Sequence, residues 1–118
     1  MMIEKFGIGV DISSIEKFTK KPYEKNKSFY EKIFSNKEIE YCIKFKNQHE
    51  RFAGKFALKE ATIKSINKKI HFSEIETFHV NSKPKIKILN SKINYRFIST
   101  LSHESGFVVA FVISEKIK

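Results

Sequence analysis

The spacing of apolar residues along the chain is helical through the middle and has a period of two near both ends. The longest helical pattern covers residues 51–66, which contain no proline and one glycine and are rich in alanine and lysine. At about 100° per residue, one face of this helix carries an apolar stripe with two charges inside it. In angular order, the residues of this face are Phe52, Ile63, Phe56, Glu60, Ala53, Lys64 and Ala57. We expect this face to be buried, with Lys55, Lys59, Thr62 and Ser65 outside it.

Glu60 and Lys64 lie one helical turn apart within that stripe, and Ala53 and Ala57 leave space beside them. One interpretation is the wall of a polar pocket. The other is an ordinary ion pair on a helix surface, which contributes a few tenths of a kcal/mol to helix stability. The helix pattern alone does not choose between them.

The N-terminal residues 3–12 alternate with a period of two, which predicts a strand. One face carries Phe6, Ile8, Val10 and Ile12. The other carries Gly7, Gly9 and Asp11. Glycine weakens a strand unless something approaches its backbone, so we expect an open face that leads to the Asp11 carboxylate. A glycine-containing strand that ends in a capping aspartate is the alternative.

Capping-box patterns predict the starts of two further helices. The first is at residues 13–16, opening a short helix that Pro22 ends. A helical turn or two is expected over residues 29–34, and the second capping box, at 35–38, opens another helix.

After residue 66 the period returns to two. We expect strands at 72–80 and 85–89 around a turn at 81–84, and a second pair at 95–101 and 107–113. The last strand is apolar on both faces, so helices or another subunit must cover it on both sides. The order of elements predicts an α+β fold, a small single domain over residues 1–118 with an antiparallel sheet packed on helices.

Composition limits the partners and the compartment. The net charge of +10 indicates an acidic partner such as nucleic acid, an anionic membrane, a phosphorylated small molecule or an acidic protein. A single cysteine, Cys42, excludes an internal disulfide and favours a reducing compartment. No apolar run is long enough to span a membrane, and the N-terminus lacks a signal-peptide layout, so a cytoplasmic location is expected.

Asp11 and Glu60 are each a charged residue in an otherwise apolar or glycine-lined setting. The two carboxylates converge if the first strand packs beside the central helix. Two carboxylates with open coordination positions suit Mg²⁺, which keeps several waters and shares substrate phosphates. Lys64 is then placed as a compact charge for a phosphate oxygen. His103, near the end of a strand, can donate to a phosphate or to a cofactor hydroxyl, although an isolated histidine is more often structural. The chain contains no P-loop, GxGxxG, nucleophile-elbow or HExxH motif.

Three segments together resemble the holo-acyl-carrier-protein synthases, a family of small phosphopantetheinyl transferases: GIGVDISSIEKF, FAGKFALKEATIKS and LSHESGFVVAFVISE. The resemblance covers nearly the whole chain in the same order. It implies a 4′-phosphopantetheinyl transferase-like fold and a homotrimer with active sites between neighbouring subunits. The implied reaction moves the 4′-phosphopantetheine group of coenzyme A to a serine of apo acyl carrier protein, releases 3′,5′-ADP and serves fatty acid biosynthesis.

The resemblance also assigns roles to individual residues. It implies that Asp11 and Glu60 bind Mg²⁺ and that Lys64 completes the catalytic set against the pyrophosphate. Further positions on the cofactor side are Lys55, Ser82, Lys83, Pro84 and His103. Lys17 matches an arginine that meets the acidic carrier protein, and we expect Lys20 and Lys21 to contribute there. Ser82 replaces a glycine and Lys17 replaces an arginine, so the turn and the carrier surface depart from the family pattern.

A basic α+β nucleic-acid-binding domain without catalysis is the alternative function. It accounts for the positive charge, but it expects aromatic residues interleaved with Arg or Lys on an exposed sheet face. Arginine occurs only at Arg51 and Arg96, which weakens direct base recognition. Without a metal, Asp11 and Glu60 would also repel phosphate.

Overall fold

The computed structural model describes residues 3–89 and 94–117. Its helices and strands are, in chain order, β1 (Phe6–Ser14), α1 (Glu16–Thr19), α2 (Lys27–Ile33), α3 (Asn36–Ile43), α4 (Gln48–Ile66), β2 (Ile75–Val80), β3 (Lys83–Ile88), β4 (Asn94–Glu104) and β5 (Phe107–Ile117). An antiparallel three-stranded sheet has the order β1-β5-β4, and β2 and β3 form a separate hairpin. The predicted α+β class is confirmed.

The strand boundaries differ from the prediction at several ends. Residues Ile3–Lys5 and Phe72–Glu74 are 3₁₀ turns, so β1 and β2 begin later than expected. The β4–β5 pair is longer than predicted because Ser105 and Gly106 alone form its turn, both with positive φ, 51° and 85°. The two strands therefore stay paired from Glu104–Phe107 out to Asn94–Ile117.

The glycine face of β1 is not open, and this prediction is wrong. A Cβ at Gly9 would lie 1.9 Å from the carbonyl oxygen of Ala61, and one at Gly7 would lie 1.7 Å from that of Ser65. The glycines therefore let the backbone of α4 lie directly on the strand. The close approach at Gly7 and Gly9 therefore serves helix packing.

The first predicted capping box is also wrong. β1 continues through Ser14, and α1 begins at Glu16 with Ile15 as an N-cap that makes no side-chain hydrogen bond. Ser13 is instead a buried strand residue that pairs with Val108 of β5. Ser13 and Ser14 belong to the strand because the pairing of β1 with β5 continues to Ser14 and Phe107.

The second capping box is confirmed. The Ser35 amide donates to Glu38 Oε1 at 2.8 Å, and the Glu38 amide donates to Ser35 Oγ at 3.2 Å. Glu38 does more than cap α3: its Oε1 also accepts a hydrogen bond from Lys59 Nζ at 2.8 Å, in an ion pair without solvent exposure on either side chain. This buried pair ties α3 to α4.

The rotation of α4 differs from the prediction. The four residues placed outside the buried face are all buried: Lys55, Lys59, Thr62 and Ser65. Phe52, Ala53 and Ala57 are buried as predicted, while Lys64 is exposed and Glu60 is half-buried. α4 is covered on both sides, by the sheet and by α3 and β2, and its polar residues enter the core with partners.

The outer face of the three-stranded sheet is apolar and uncovered in the single chain. Ile8, Val10 and Ile12 of β1 are 66%, 51% and 63% exposed, and Ile98 of β4 is 73% exposed. The inner residues of β5 are buried, which confirms that helices cover one side of this strand. Cys42 is buried as expected of a core residue. No helix within residues 3–89 and 94–117 is long and apolar enough to cross a membrane.

Gly9→Ala is expected to lower the free energy of unfolding by about 1–3 kcal/mol, because the added methyl overpacks the contact between β1 and the α4 backbone. Gly54→Ala is the matched control. Its Cβ meets Leu101 Cδ1 at 3.5 Å and Val108 Cγ1 at 3.8 Å, which are ordinary packing distances, so stability should stay equal or rise by about 0.5–1 kcal/mol. Urea unfolding at one protein concentration measures both. Equal midpoints for the two variants would contradict this account of the β1–α4 contact.

Candidate active site

Asp11 is the next residue after Gly7 and Gly9 on the face of β1 that packs against α4. Its Oδ1 lies 3.3 Å from Lys64 Nζ, and the same ammonium donates to the carbonyl oxygen of Val10 at 3.0 Å. The Asp11 side chain is 14% exposed and that of Lys64 is 53% exposed. The structure thus brings together two of the three predicted catalytic residues, at the edge where β1 meets the helix.

Glu60 precedes Lys64 by one helical turn, which places their Cβ atoms about 5–6 Å apart on one side of α4. Glu60 is half-buried, and it has no hydrogen bond or ion pair with any other residue in the described part of the chain. A carboxylate kept at a polar edge without a partner has both oxygens available. The third predicted catalytic residue therefore lies beside the Asp11–Lys64 pair.

The donor set at this edge suits a cation that needs only two protein carboxylates. Asp11 uses one oxygen toward Lys64. The other oxygens of Asp11 and Glu60 have no hydrogen-bond partner among the residues that the structure describes. Among residues 3–89 and 94–117, no group of three or more His, Cys, Asp or Glu side chains is arranged to hold a metal. Two carboxylates fit Mg²⁺, which completes its coordination with water and phosphate, better than they fit a structural zinc site.

A cleft of ≈ 210 Å³ lies on the other side of α4, between that helix, α3, β2 and the β4–β5 pair. It contains two predicted cofactor residues, Lys55 and His103. Its remaining wall is formed by Tyr41, Glu50, Arg51, Gly54, His79, Leu101 and Val108. Four nitrogen-bearing side chains and an aromatic ring around one small opening are suited to an anionic, flat ligand.

Lys55 is 2% exposed, and its Nζ donates to both the carbonyl oxygen and Oγ1 of Thr77 at 3.0 Å. Burial lowers the pKa of this ammonium below its usual range, and the carboxylates of Glu38 and Glu76 oppose that shift. Its ammonium also lies 4.8 Å from the centre of the Tyr41 ring. Lys55 is therefore a deeply buried charge on the wall of the cleft.

The two histidines of the cleft differ. His103 is near the end of β4, as predicted, with a 62% exposed side chain whose Nε2 lies 3.6 Å from Glu50 Oε2. His79 stacks on Tyr41 with ring centroids 5.0 Å apart. Burial, with help from Lys55 and Arg51, lowers the pKa of His79, which favours the neutral ring. His103 is placed to meet a ligand from solvent, whereas His79 forms a flat neutral wall.

The predicted turn residues Ser82, Lys83 and Pro84 lie at the tip of the β2–β3 hairpin. Ser82 has a φ of 67°, in the left-handed region, where a glycine is expected. Pro84 pairs in register with His79, so this tip lies beside the cleft. The Oγ of Ser99 on β4 donates to the Pro84 carbonyl at 3.0 Å, which ties the tip to the main sheet.

The predicted carrier-binding lysines lie on and just after α1. The Lys17 ammonium lies 3.9 Å from the centre of the Phe56 ring on α4, and that of Lys21 lies 4.0 Å from the Phe29 ring. Lys20 pairs with Glu16 at 3.4 Å. Phe56 is one helical turn before Glu60, so this basic surface adjoins the carboxylate edge.

Sequence reasoning missed Tyr41, Arg51 and His79 on the walls of the cleft. It also missed Thr77, which accepts both hydrogen bonds of Lys55. Their partners are distant in the chain, so no local spacing marks them. Of these residues, only Thr77 could have been noticed in the sequence. It is a polar residue on the face of β2 that also carries the buried Ile75. A larger cleft of ≈ 650 Å³ beside Ser35, Phe78 and Lys87 contains none of the predicted site residues.

Comparison with known proteins identifies the family to which the chain belongs. Residues 7–112 match the 4′-phosphopantetheinyl transferase superfamily. The chain is 41% identical to the holo-[acyl-carrier-protein] synthase of Thermodesulfovibrio yellowstonii, over 95% of this chain and 98% of that protein. It is 37% identical to that of Clostridium kluyveri, over 93% of this chain and 90% of that protein.

Solved structures give the same result for the fold. The crystal structure of Helicobacter pylori holo-[acyl-carrier-protein] synthase in complex with coenzyme A superposes with a TM-score of 0.78 at 31% identity, covering 92% of this chain and 99% of that one. The synthase of Neisseria meningitidis superposes with a TM-score of 0.80 at 26% identity, covering 93% and 98%. The chain described here belongs to the 4′-phosphopantetheinyl transferase superfamily.

Proposed function

We propose that this protein transfers the 4′-phosphopantetheine group of coenzyme A to a serine of apo acyl carrier protein, with Mg²⁺, and releases 3′,5′-ADP. The observation that carries the proposal is the Asp11–Lys64 pair, with Glu60 beside it, at the edge of β1 in a member of this superfamily. The product supplies fatty acid biosynthesis, and we expect the reaction to take place in the cytoplasm. Family membership favours this function over nucleic-acid binding.

Asp11 and Glu60 would hold the Mg²⁺ ion. When bound, it supplies neutralisation of the charge on the pyrophosphate of coenzyme A. Lys64, fixed by Asp11 and the Val10 carbonyl, retains a donor for a phosphate oxygen and stabilises the leaving 3′,5′-ADP. As the carrier serine Oγ forms its bond to phosphorus, the bond from phosphorus to the departing nucleotide phosphate breaks. A carboxylate of the pair takes the serine proton, either directly or through a water.

The cofactor side is proposed for the cleft on the other side of α4. Lys55 and His103 bind phosphate oxygens of coenzyme A there, and the hairpin tip at Ser82, Lys83 and Pro84 contacts the nucleotide. The acidic carrier protein binds the surface of Lys17, Lys20 and Lys21. The rings of Phe56 and Phe29 hold two of these ammonium groups in place before the carrier arrives.

A homotrimer with active sites between subunits is proposed for two reasons. The apolar outer sheet face, with Ile8, Ile12 and Ile98 each more than half exposed, needs a cover. The two parts of the site also lie at opposite edges of the sheet, with Asp11 on β1 and His103 on β4, separated by β5. A ring of three chains can bring the β1 edge of one subunit to the β4 edge of the next.

The reaction is tested by the intact mass of an apo acyl carrier protein after incubation with this protein, coenzyme A and Mg²⁺, with an EDTA control. A mass gain equal to one phosphopantetheine group, lost with EDTA, is the expected result.

Glu60→Gln should lower kcat by about 100-fold or more while leaving the fold intact, because the charge that holds the metal is lost.

Glu40→Gln, an exposed site on α3, is the control and should retain activity. Near-normal transfer by Glu60→Gln would show that the metal assignment is wrong. No mass gain from any carrier, together with no binding of coenzyme A, would refute the proposed reaction.

Reversing the charge of Lys20 and Lys21 to Glu is expected to raise the KM for the carrier protein about tenfold at low ionic strength, and less at high salt. The KM for coenzyme A should not change. Reversal of Lys37 and Lys87, two exposed lysines on α3 and β3, changes the net charge equally and is the control. If both pairs raise the carrier KM equally, general charge explains the effect and the α1 surface has no special role.

Ile98→Glu is expected to convert the protein from a particle of three times 13.9 kDa to a single chain, because a buried carboxylate opposes association of the sheet faces. Light scattering after size exclusion measures the mass, and circular dichroism checks the fold. Phe78→Glu is the control, since Phe78 is 40% exposed but lies on the separate hairpin. An unchanged mass for Ile98→Glu would contradict the trimer interface.

A further inference from the structure

The two buried lysines of α4 differ in how completely their hydrogen bonds are satisfied. Lys59 Nζ donates to the Ile33 carbonyl at 2.7 Å, to the Phe72 carbonyl at 3.0 Å and to Glu38 Oε1 at 2.8 Å. An ammonium has three N–H donors, so Lys59 has none left. It is a structural lysine that joins three segments of the core.

Lys55, one helical turn earlier, keeps a donor in reserve. Its Nζ donates twice, and both bonds go to Thr77, through the carbonyl oxygen and through Oγ1. Within residues 3–89 and 94–117, no other oxygen accepts from this ammonium. Because Lys55 lines the ≈ 210 Å³ cleft with Arg51 and His103, its third N–H is available to an acceptor in that cleft.

The hydroxyl of Thr77 has a fixed orientation. Its Oγ1 lies 2.6 Å from Glu38 Oε2, and the Thr77 amide donates to the same oxygen at 2.8 Å. A carboxylate only accepts, so the hydroxyl hydrogen must point to Glu38 and its lone pairs toward Lys55. Glu38 is held in turn by the Ser35 amide and by Lys59. The position of the Lys55 ammonium is therefore set by a chain of bonds through the core.

We propose that Thr77 is a positioning residue for substrate binding: its hydroxyl, oriented by Glu38, directs the free N–H of Lys55 into the cleft to bind a phosphate oxygen of coenzyme A. This inference rests on the proposed function, and it adds a residue that does not itself touch the substrate. Without Oγ1, Lys55 keeps only the Thr77 carbonyl. Its ammonium then turns within the core, and the cleft loses a directed donor.

Thr77→Val removes the hydroxyl at nearly constant volume and is the main test. We expect the KM and the Kd for coenzyme A to rise about tenfold, the scale of one hydrogen bond to a charged group. The carrier KM should not change, and kcat should change less than twofold, because the carboxylate edge is untouched. Thr77→Ser keeps the hydroxyl and should restore coenzyme A binding to within about twofold of the wild type.

Thr62→Val is the matched control. Thr62 is fully buried, and its Oγ1 donates only to the Leu58 carbonyl at 2.6 Å, on the same helix. This variant loses a buried hydroxyl bond of the same kind, so it should lose stability without a change in the coenzyme A KM. If Thr77→Val does not fold, Thr77→Ala replaces it, again with Thr77→Ser as the rescue.

The outcomes separate the inference from the proposed function. A coenzyme A Kd for the Thr77 variant equal to that of Thr62→Val would overturn the positioning role, as would failure of Thr77→Ser to restore binding. Wild-type protein that binds coenzyme A but modifies no carrier would refute the proposed reaction and not this inference, because calorimetric binding of coenzyme A still compares the variants. Wild-type protein that does not bind coenzyme A would overturn both.

Discussion

The contact between β1 and the backbone of α4 is the constraint on which the rest of the structure depends. Gly7 and Gly9 bring the strand so close to the helix that a Cβ at either position would lie less than 2 Å from a carbonyl oxygen. Strand alternation then turns Asp11 toward the same helix, where Lys64 reaches it. The carboxylate edge is thus a consequence of backbone packing. The positions of Asp11 and Lys64 are set by a strand and a helix, which hold side chains more precisely than a loop does.

The second constraint is electrostatic and lies on the other side of α4. Glu38 accepts hydrogen bonds from Ser35, Lys59 and Thr77, so a single carboxylate connects α3, α4 and β2. A buried ion pair costs desolvation energy, and it is tolerated when every remaining donor and acceptor is satisfied. This network explains how the helix can bury Lys59, whose three donors are all satisfied. It separates that structural lysine from Lys55, which donates twice to Thr77 and lines a cleft.

What the sequence could predict follows from the range of each interaction. Some features depend only on residues that are close together in the chain, so the sequence could predict them. These are the strand alternation through Asp11, the one-turn spacing of Glu60 and Lys64, and the capping box at Ser35. The burial of Lys55 and Lys59 was not predictable, because it depends on Glu38 and on Thr77, which lies 39 positions beyond Glu38. The prediction of an open glycine face on β1 was wrong for the same reason. The alternation of glycines indicated a close approach to the strand backbone, but local sequence does not say whether a ligand or a helix approaches.

The division of the site between two edges of one sheet is itself informative. In the β1-β5-β4 order, the Asp11 edge and the His103 edge lie two strand spacings apart, about 10 Å, with α4 packed on the sheet between them. In the proposed reaction, a single chain therefore offers the metal and phosphate chemistry on one side and the cleft for the rest of the cofactor on the other. In the proposed ring, the exposed apolar sheet faces meet at the centre, and each β1 edge is completed by the β4 edge of its neighbour. The apolar sheet face that is exposed in the isolated chain then serves catalysis, because assembly through this face completes the site.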